Sequence, residues 1–379
     1  MEILNFIIPF IVLLTIVVFV HEYGHYYFAR KYGVGVTDFS IGFGRELFGI
    51  NDKNGTRWKF CLIPLGGYVK FFGDRNVFSQ AEQAELLKRY NESDRKKLFV
   101  VKPLYQRSLI VFGGPLANFI LAIIIFAFIY MFSGKDFTPA KISEVQENSP
   151  AFSSGLKVND VITEINDNKI SSVLEVSTHI NATTNENVEI KVLRNEQELS
   201  FIIEPKEVMS EDNLGNKVKR KIIGIKISPL NNEFDKQKLG PTKAMYYALG
   251  ETWFVTKTTL KFVGSMFQGK GDSSQLGGPI RIAKITGQVA QFGLIAFLSI
   301  MAYISISLGL INLFPIPLLD GGHLMFYAFE KILGKPLSQK TQEGFFRIGL
   351  ILLFSLMFFS PFLSPHIQHR ENQRHHNPG

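Results

Sequence analysis

The sequence predicts a polytopic α-helical membrane protein with about four transmembrane helices and β-rich regions outside the bilayer. Two observations support this fold class: phenylalanine alone supplies 35 of the 379 residues, and several apolar runs are long. A helix that spans a bilayer needs about 20 mostly apolar residues. The runs that reach or approach this length are residues 3–20, 109–132, roughly 293–314 and roughly 348–363.

The distribution of charge predicts which loops face the cytoplasm. Residues 29–108 carry 15 Lys and Arg against 8 Asp and Glu, whereas residues 133–290 carry 20 against 19. Because basic residues concentrate in cytoplasmic loops, segment 29–108 is placed inside and segment 133–290 outside. The net charge of +8 then reflects topology, and nucleic acid is not an expected partner. The first run lacks a basic leader and a small-residue cleavage site, so it is interpreted as a retained helix.

Residues 140–208 predict a small β-rich domain on the outer side. A strand is followed by a Ser-Pro-Ala helix start, by Gly155-Leu156 and by a second strand over 161–165. An Asn-Asp-Asn turn and the alternating "NVEIKVLRNEQELSFIIEP" then predict a hairpin. This order resembles a single PDZ domain, a module that captures chain ends by adding them to a sheet edge as a strand. The carboxylate-binding loop is not legible near its start, so peptide capture and a steric gate both remain open.

Two further stretches complete the coarse organisation. The sequence "TRWKFCLIPLGGYVKFFG" (56–73) has β-formers on both sides of a Pro-Leu-Gly-Gly break, which predicts two short strands joined by a turn or kink. Residues 242–268 are amphipathic but carry several charges, which favours a helix lying at the membrane interface. A glycine-rich break, "LGGPIRIAKITG" (276–287), leads to the third apolar run.

These elements divide the chain into successive segments. The segments are a first transmembrane helix (1–28), a cytoplasmic β-hairpin and polar loop (29–108), a second transmembrane helix (109–132), a PDZ-like domain (133–228), an interfacial helix with the glycine-rich loop (229–290), a third transmembrane helix (291–326), and a fourth transmembrane helix with a tail (327–379).

The end of the first apolar run carries a metal-binding pattern. In "HEYGH" the residues His21 and His25 lie one helical turn apart, so both imidazoles can reach one Zn²⁺, with Glu22 beside them as a general base. A catalytic zinc needs three protein ligands and an open position for water. Ionisable residues at a membrane helix are costly, so a third ligand is expected in another span. The single cysteine, Cys61, excludes a Cys-based zinc site.

The candidate third ligand is Asp320, in "INLFPIPLLDGGHLMF" (311–326) at the end of the third run. The prolines and glycines around it allow the backbone to turn this side chain inward. The topology independently places His21, His25 and Asp320 on the same side of the bilayer.

The two motifs together resemble the site-2 proteases, which are intramembrane zinc metalloproteases. The motifs "GGPLANF" (113–119), "IPLGGYVKF" (63–71) and "LDGGHLMF", with one PDZ-like unit, resemble the bacterial regulator of sigma-E protease branch. The resemblance runs from residue 1 to about 363. Studied members of that branch have two tandem PDZ units, whereas one is placed here.

The resemblance implies a set of site residues and partners. It implies one zinc ion held by His21, His25 and Asp320, with Glu22 activating the water. It also implies a membrane-associated β-hairpin that presents an edge to substrate. The substrate-binding residues that match are Asn312, Gly42, Gly44, Gly66, Gly67 and Tyr68.

The activity that the resemblance implies is regulated intramembrane proteolysis in the bacterial inner membrane. The substrate would be a single-span membrane protein of the anti-sigma factor type, first shortened by an upstream site-1 type protease. Remnant signal peptides are another substrate class. Two alternatives are a catalytically silent membrane scaffold or chaperone that binds peptides, and a metal transporter that uses the same three side chains. The intact Glu22 favours hydrolysis over both.

Other histidines have simpler interpretations. His323 follows Asp320 by three residues and is assigned an outer or structural role, and His179 belongs to the PDZ-like unit. Asn118 lies on the second span and should face other helices, where it would orient a metal ligand or substrate, or bond a neighbouring helix. A His-rich tail is predicted on the side of the membrane opposite the motif; its members are His366, His369, His375 and His376.

Overall fold

The computed structural model describes residues 2–74, 87–183, 186–211, 217–229, 234–267, 279–338, 341–342, 344–345 and 347. The helices in these ranges are numbered in chain order. They are α1 (Glu2–Lys31), α2 (Glu92–Arg95), α3 (Leu104–Phe132), α4 (Pro150–Ser153), α5 (Val173–Asn181), α6 (Pro241–Phe267), α7 (Pro279–Gln291), α8 (Leu294–Leu313) and α9 (Asp320–Leu333), with a short 3-10 helix at Phe99–Val101.

The strands of the described residues form antiparallel sheets. They are β1 (Val36–Asn51), β2 (Arg57–Phe71), β3 (Lys135–Asp136), β4 (Ala140–Val145), β5 (Val161–Ile165), β6 (Asn168–Lys169), β7 (Val188–Arg194), β8 (Gln197–Ile203), β9 (Lys206–Glu211), β10 (Lys217–Ile222), β11 (Ile225–Ser228) and β12 (Lys236–Gln237). The largest sheet has the order β11-β4-β5-β7-β8, and β6 pairs with β5. The pairs β1–β2, β9–β10 and β3–β12 are separate.

The chain forms two compact units, one of Met1–Ile125 with Gly277–Gly379 and one of Phe126–Leu276. Within the described residues, three helices are long and apolar enough to cross a membrane: Asn5–Lys31, Leu104–Phe132 and Leu294–Leu313. They match the first three predicted apolar runs, and the first two extend further along the chain. The predicted fourth span, at roughly 348–363, lies outside the described residues.

The hairpin β1–β2 has its turn at a different place from the one predicted. Strand β2 runs unbroken through the Pro-Leu-Gly-Gly sequence, and the turn lies at residues 52–56. There Asp52 Oδ1 accepts hydrogen bonds from the amides of Asn54 and Thr56, at 2.8 and 2.9 Å. The glycine sequence instead forms part of a bulged stretch with shifted register. A β-bulge accommodates an extra residue in one strand while the strand continues. The prediction of two short strands within 56–73 was therefore wrong.

Helix α7 occupies most of the stretch predicted to be a glycine-rich loop. It begins at Pro279, and proline is favoured in the first turn of a helix because its missing N–H needs no partner there. The helix packs on the start of α1, where a Cβ on Gly287 would lie 2.6 Å from Phe6 Cα. Helix α7 therefore occupies the predicted break from residue 279 onward, and residues 276–278 lie outside the described residues.

The segment predicted as a third transmembrane helix over 291–326 is divided into two helices. Helix α8 ends at Leu313, and α9 begins at Asp320 after a tight turn. In that turn Leu318 has a φ of +86°, a left-handed conformation that costs a non-glycine residue about 1–3 kcal/mol. The turn is compact because a Cβ on Gly322 would lie 2.5 Å from the Ile316 carbonyl oxygen. Asp320 is thus fixed at the start of α9 by backbone packing.

The second unit, Phe126–Leu276, contains residues 133–228, for which the PDZ-like domain was predicted. Ser149 caps α4, and β5 spans the predicted strand. The turn residues Asn166 and Asp167 both have positive φ, at 47° and 62°, as a tight hairpin turn requires. Helix α5, the β9–β10 hairpin and the edge strand β11 were not predicted. The buried core of this unit is aliphatic and includes Ile142, Ile162, Ile165, Ile190, Val192 and Ile203.

An ion pair ties α9 to the start of α3 in the first unit. The Arg107 guanidinium donates to both carboxylate oxygens of Glu330, at 2.5 and 3.1 Å, and lies 5.1 Å from the Tyr327 ring. The two paired side chains are only 15% and 18% exposed, so water screens the pair weakly.

We expect Glu330→Ala to lower the free energy of unfolding by about 2 kcal/mol, because it leaves a half-buried guanidinium without its bidentate acceptor. Thermal unfolding of purified protein in detergent checks this. Lys97→Ala, which breaks the more exposed Lys97–Asp94 pair, is the matched control and should change stability by less than about 1 kcal/mol. Equal effects of both substitutions would contradict the prediction.

Candidate active site

The two histidines of α1 lie on one face of the helix with their rings together. Their Nε2 atoms are 3.2 Å apart. The Nδ1–H of His25 donates to the backbone oxygen of Ile110 on α3, at 2.9 Å. Because Nδ1 carries the proton, Nε2 of the neutral His25 ring is unprotonated. Its lone pair is directed toward His21. A metal-binding histidine is commonly fixed by such a bond from its other nitrogen.

Asp320 completes the cluster from α9. Its Oδ2 lies 3.1 Å from His21 Nε2, and its Oδ1 lies 3.5 Å from His25 Nε2. The three candidate ligand atoms are all within 4.8 Å of one another. The structure therefore brings together the three side chains that the sequence singled out, from helices about 300 positions apart along the chain.

The cluster has the features expected of a metal site. Asp320 Oδ2 is buried and receives no hydrogen bond from the described residues, although His21 Nε2 is close. A Cβ on Gly114 of α3 would lie 2.8 Å from His21 Nε2 and closer still to His25 Nε2. The missing side chain thus leaves space directly in front of both nitrogens. Two imidazoles and one carboxylate are a ligand set of catalytic zinc sites, so these residues fit Zn²⁺.

We expect Gly114→Ala to weaken zinc binding and to lower activity about 10²-fold, because an added Cβ would displace both imidazoles from their common target. Zinc content of the purified protein measures this. Gly250→Ala on α6 is the matched control, since none of the described residues outside its own stretch of helix places an atom within 4 Å of the added Cβ. Normal zinc content in Gly114→Ala would show that the space is not needed.

Glu22 lies next to His21 on α1 and faces strand β2. A Cβ on Gly67 would lie 3.1 Å from Glu22 Cγ, so the Glu22 side chain lies against this strand. The structure thus places the predicted base between the histidine cluster and the hairpin.

The other predicted substrate residues lie along the bulged part of the hairpin. Gly42 and Gly44 both have a φ of +86°, and Gly66 has a φ of +122°. A Cβ on Gly66 would collide with the Phe43 ring, which stacks on Tyr68 with centroids 6.1 Å apart. These positions therefore require glycine for backbone shape.

Asn312 and the remaining described histidines are not members of the group of three candidate ligands. Asn312 is half-buried in the last turn of α8. His323 lies on α9 beside the Phe326 ring, and the His179 ring of the PDZ-like unit lies tilted against the Phe254 ring with centroids 4.2 Å apart. The His-rich tail lies outside the described residues.

The close packing of α1 on α3 was not predicted from the sequence. A Cβ on Gly24 would collide with the backbone of Gly113, and one on Gly113 would lie 2.7 Å from the Gly24 carbonyl oxygen. Small residues at a helix interface let two membrane helices approach closely. The signal was present in "GGPLANF", since two adjacent glycines inside an apolar run are otherwise unfavourable in a helix.

Relatives of known sequence match the chain over nearly its whole length. It is 40% identical over 356 residues to "Putative zinc metalloprotease Atu1380" of Agrobacterium fabrum, with 94% of each chain covered. It is 38% identical over 355 residues to "Putative zinc metalloprotease RC0203" of Rickettsia conorii, covering 93% of this chain and 96% of the relative. It is 34% identical over 375 residues to "Metalloprotease MmpA" of Caulobacter vibrioides, covering 93% and 94%.

A solved structure and a family model also match. The PDZ domain of the SdrC-like protein from Listeria monocytogenes is 23% identical, covers 24% of this chain and 88% of its own, and has a TM-score of 0.20. The family model described as peptidase family M50 matches residues 9–356. The histidine–aspartate cluster lies within that range. The chain belongs to peptidase family M50, the site-2 protease family of zinc metalloproteases.

Proposed function

We propose that this metalloprotease is an intramembrane endopeptidase that uses one zinc ion to cleave transmembrane segments of single-span membrane proteins. The observation that carries the proposal is the convergence of His21, His25 and Asp320, with Glu22 alongside. Three of these residues, His21, Glu22 and His25, lie within a helix that is long and apolar enough to cross a membrane. The chemistry of peptide hydrolysis is therefore built at a hydrophobic helix.

Different side chains are proposed to bind the metal ion and to transfer the proton during hydrolysis. His21, His25 and Asp320 would hold the ion, and a bound Zn²⁺ would supply a Lewis acid that lowers the pKa of water to about 7. The Glu22 carboxylate accepts a proton from the attacking water and delivers it to the nitrogen of the leaving amine. Because Gly114 has no Cβ, no side-chain carbon of this residue lies against the two Nε2 atoms.

The β1–β2 hairpin is proposed to present the substrate. A transmembrane helix satisfies its amides internally, so its peptide bonds become accessible only after local unwinding. An extended strand beside the hairpin would replace those internal hydrogen bonds. Gly67 already lies against Glu22, which supports this route to the base. Asn312 is proposed to hold the substrate backbone near the metal. The hairpin positions proposed to bind substrate are Gly42, Gly44, Gly66, Gly67 and Tyr68.

The proposed location is the bacterial inner membrane, with the site near the cytoplasmic side and the PDZ-like domain outside. The excess of basic residues in 29–108 supports this orientation. We propose a substrate of the anti-sigma factor type that an upstream protease has shortened, with remnant signal peptides as a second class. The described part of the PDZ-like sheet ends at the edge strand β11, a feature compatible with peptide capture.

A peptide-binding scaffold without catalysis is the alternative function. It would keep the metal cluster as a structural site, and structural zinc sites are normally closed by four ligands. Here the described residues supply three, and Glu22 lies next to one of them. Both features favour hydrolysis.

The test uses purified full-length protein in detergent with a tagged single-span substrate, and mass spectrometry of the products. The proposal predicts zinc-dependent cleavage at a bond inside the transmembrane segment. Cleavage confined to soluble flanking regions would contradict it. Zinc bound without cleavage of a panel of single-span substrates would favour the scaffold.

A further inference from the structure

One face of α3 meets both histidines of the candidate metal site. Ile110, Gly114 and Asn118 are spaced four residues apart, so they lie on the same side of the helix. The Ile110 backbone contacts His25, Gly114 leaves space between the rings, and the Asn118 side chain contacts His21. Ile110 and Asn118 therefore each contact a histidine at Nδ1, the nitrogen that points away from the proposed ion.

The hydrogen bond of His25 fixes its tautomer, and His21 must have the same tautomer to bind the same ion. Because the Ile110 oxygen can only accept, His25 must carry its proton on Nδ1, and Nε2 is left bare. His21 needs the same tautomer if its Nε2 is to bind the same ion. Its Nδ1 must then donate to an acceptor, and the one polar side chain of α3 at that atom is Asn118.

The amide of Asn118 can satisfy this requirement in one of its two orientations. As placed, its Nδ2 lies 3.2 Å from His21 Nδ1, and its Oδ1 is buried without a hydrogen-bond donor among the described residues. That orientation would make His21 Nδ1 an acceptor and force the proton onto Nε2, facing His25 Nε2 and Asp320. Rotating the amide by 180° gives Oδ1 a donor and leaves His21 Nε2 bare. Amide oxygen and nitrogen are nearly the same size, so hydrogen bonding decides between the two.

We propose that Asn118 is a positioning residue for His21: its Oδ1 accepts the Nδ1–H of His21 and so directs Nε2 at the zinc ion. The inference rests on the zinc site of the proposed function. The two histidines would then be oriented in different ways. The backbone oxygen of Ile110 orients His25, whereas the side chain of Asn118, which can be substituted, orients His21. Outer contacts of this sort typically contribute about 10–100-fold to metal affinity.

Asn118 also packs against α8, the helix that leads to Asp320. It is fully buried, and the Ser305 hydroxyl on α8 donates to its backbone oxygen at 2.9 Å. A Cβ on Gly309 would lie 3.2 Å from Asn118 Cβ, so α8 and α3 are in close contact here. The residue that orients one ligand is therefore packed against the helix that precedes another.

A purely structural role makes the opposite prediction for two substitutions of nearly equal size. Asn118→Leu keeps the branched shape of the side chain and removes the acceptor, whereas Asn118→Asp keeps an acceptor oxygen for His21 Nδ1. If Asn118 serves only to fill space, leucine should replace it better than aspartate. If it orients His21, aspartate should replace it better than leucine.

The experiment measures zinc affinity of the purified protein by competition with a chelator, and the visible spectrum of the Co²⁺-substituted protein as a readout of ligand geometry. Thermal unfolding of the metal-free proteins separates loss of metal from loss of fold. We expect zinc affinity about 10–100-fold weaker in Asn118→Leu and close to wild type in Asn118→Asp. Ser305→Ala removes the bond to the Asn118 backbone but spares the His21 contact, and should keep wild-type affinity.

Three results would overturn the inference. They are wild-type affinity in Asn118→Leu, a tenfold or greater loss in Asn118→Asp, or a loss in Ser305→Ala equal to that in Asn118→Leu. If the leucine variant does not fold, the zinc affinity of Asn118→Asp alone decides whether Asn118 orients His21 or only fills space. A wild-type protein that binds no zinc would instead reject the proposed function, and this inference with it.

Discussion

Glu22→Gln is expected to abolish cleavage of a transmembrane substrate, by about 10²–10⁴-fold in kcat, while the protein keeps its zinc. The substitution retains the size of the side chain and its place against Gly67, but the amide cannot accept a proton from water. None of the three candidate ligand atoms is changed. The measurement is single-turnover cleavage in detergent, together with zinc content of the same sample.

The control for this prediction is Glu92→Gln, an exposed glutamate in the short helix α2. It should cleave at the wild-type rate. If Glu22→Gln retained most of its activity, the proposed base would be wrong, and a different group would have to move the proton. If it lost its zinc as well as its activity, Glu22 would belong to the ligand set.

Substitution of a zinc ligand should differ from Glu22→Gln, because zinc and activity should be lost together. We expect Asp320→Ala and His25→Ala each to weaken zinc binding by more than the roughly 10–100-fold typical of an outer-shell partner. Cleavage should fall in proportion to the bound metal. Zinc content after dialysis against a chelator, followed by the cleavage assay, measures both.

Matched controls for the ligand variants lie in the PDZ-like unit. His179→Ala and Asp167→Ala remove the same side-chain types from a cavity of about 410 Å³ outside the metal cluster. Both should keep full zinc content. Asp320→Ala with normal zinc would show that the carboxylate is not a ligand, and the three-residue site would fail.

The proximity of His21, His25 and Asp320 was predictable because part of it follows from side chains with fixed spacing along a helix. Histidines four residues apart on a helix face the same way whatever surrounds them. Asp320 was predictable for a related reason, since the prolines before it and the glycines after it limit the paths that the backbone can take. The three apolar helices followed from hydropathy alone.

The parts that were not predicted depend on backbone groups and on packing between distant segments. The acceptor for His25 is the main-chain oxygen of Ile110, which leaves no trace in the identity of residue 110. The Pro-Leu-Gly-Gly sequence was interpreted as a break, but pairing with β1 keeps the strand continuous through Gly66. Helix α7 was missed because its preceding glycines suggested a loop, while its contact with Phe6 comes from the other end of the chain.

The most direct test of the site is X-ray absorption spectroscopy at the zinc edge on the purified, zinc-loaded protein. The structure predicts two imidazole nitrogens and carboxylate oxygen at about 2.0–2.2 Å, with a signal that changes in Asp320→Ala. A protein shortened to remove the His-rich tail should give the same spectrum. Zinc bound only through the tail histidines, or a spectrum unchanged by Asp320→Ala, would contradict the account.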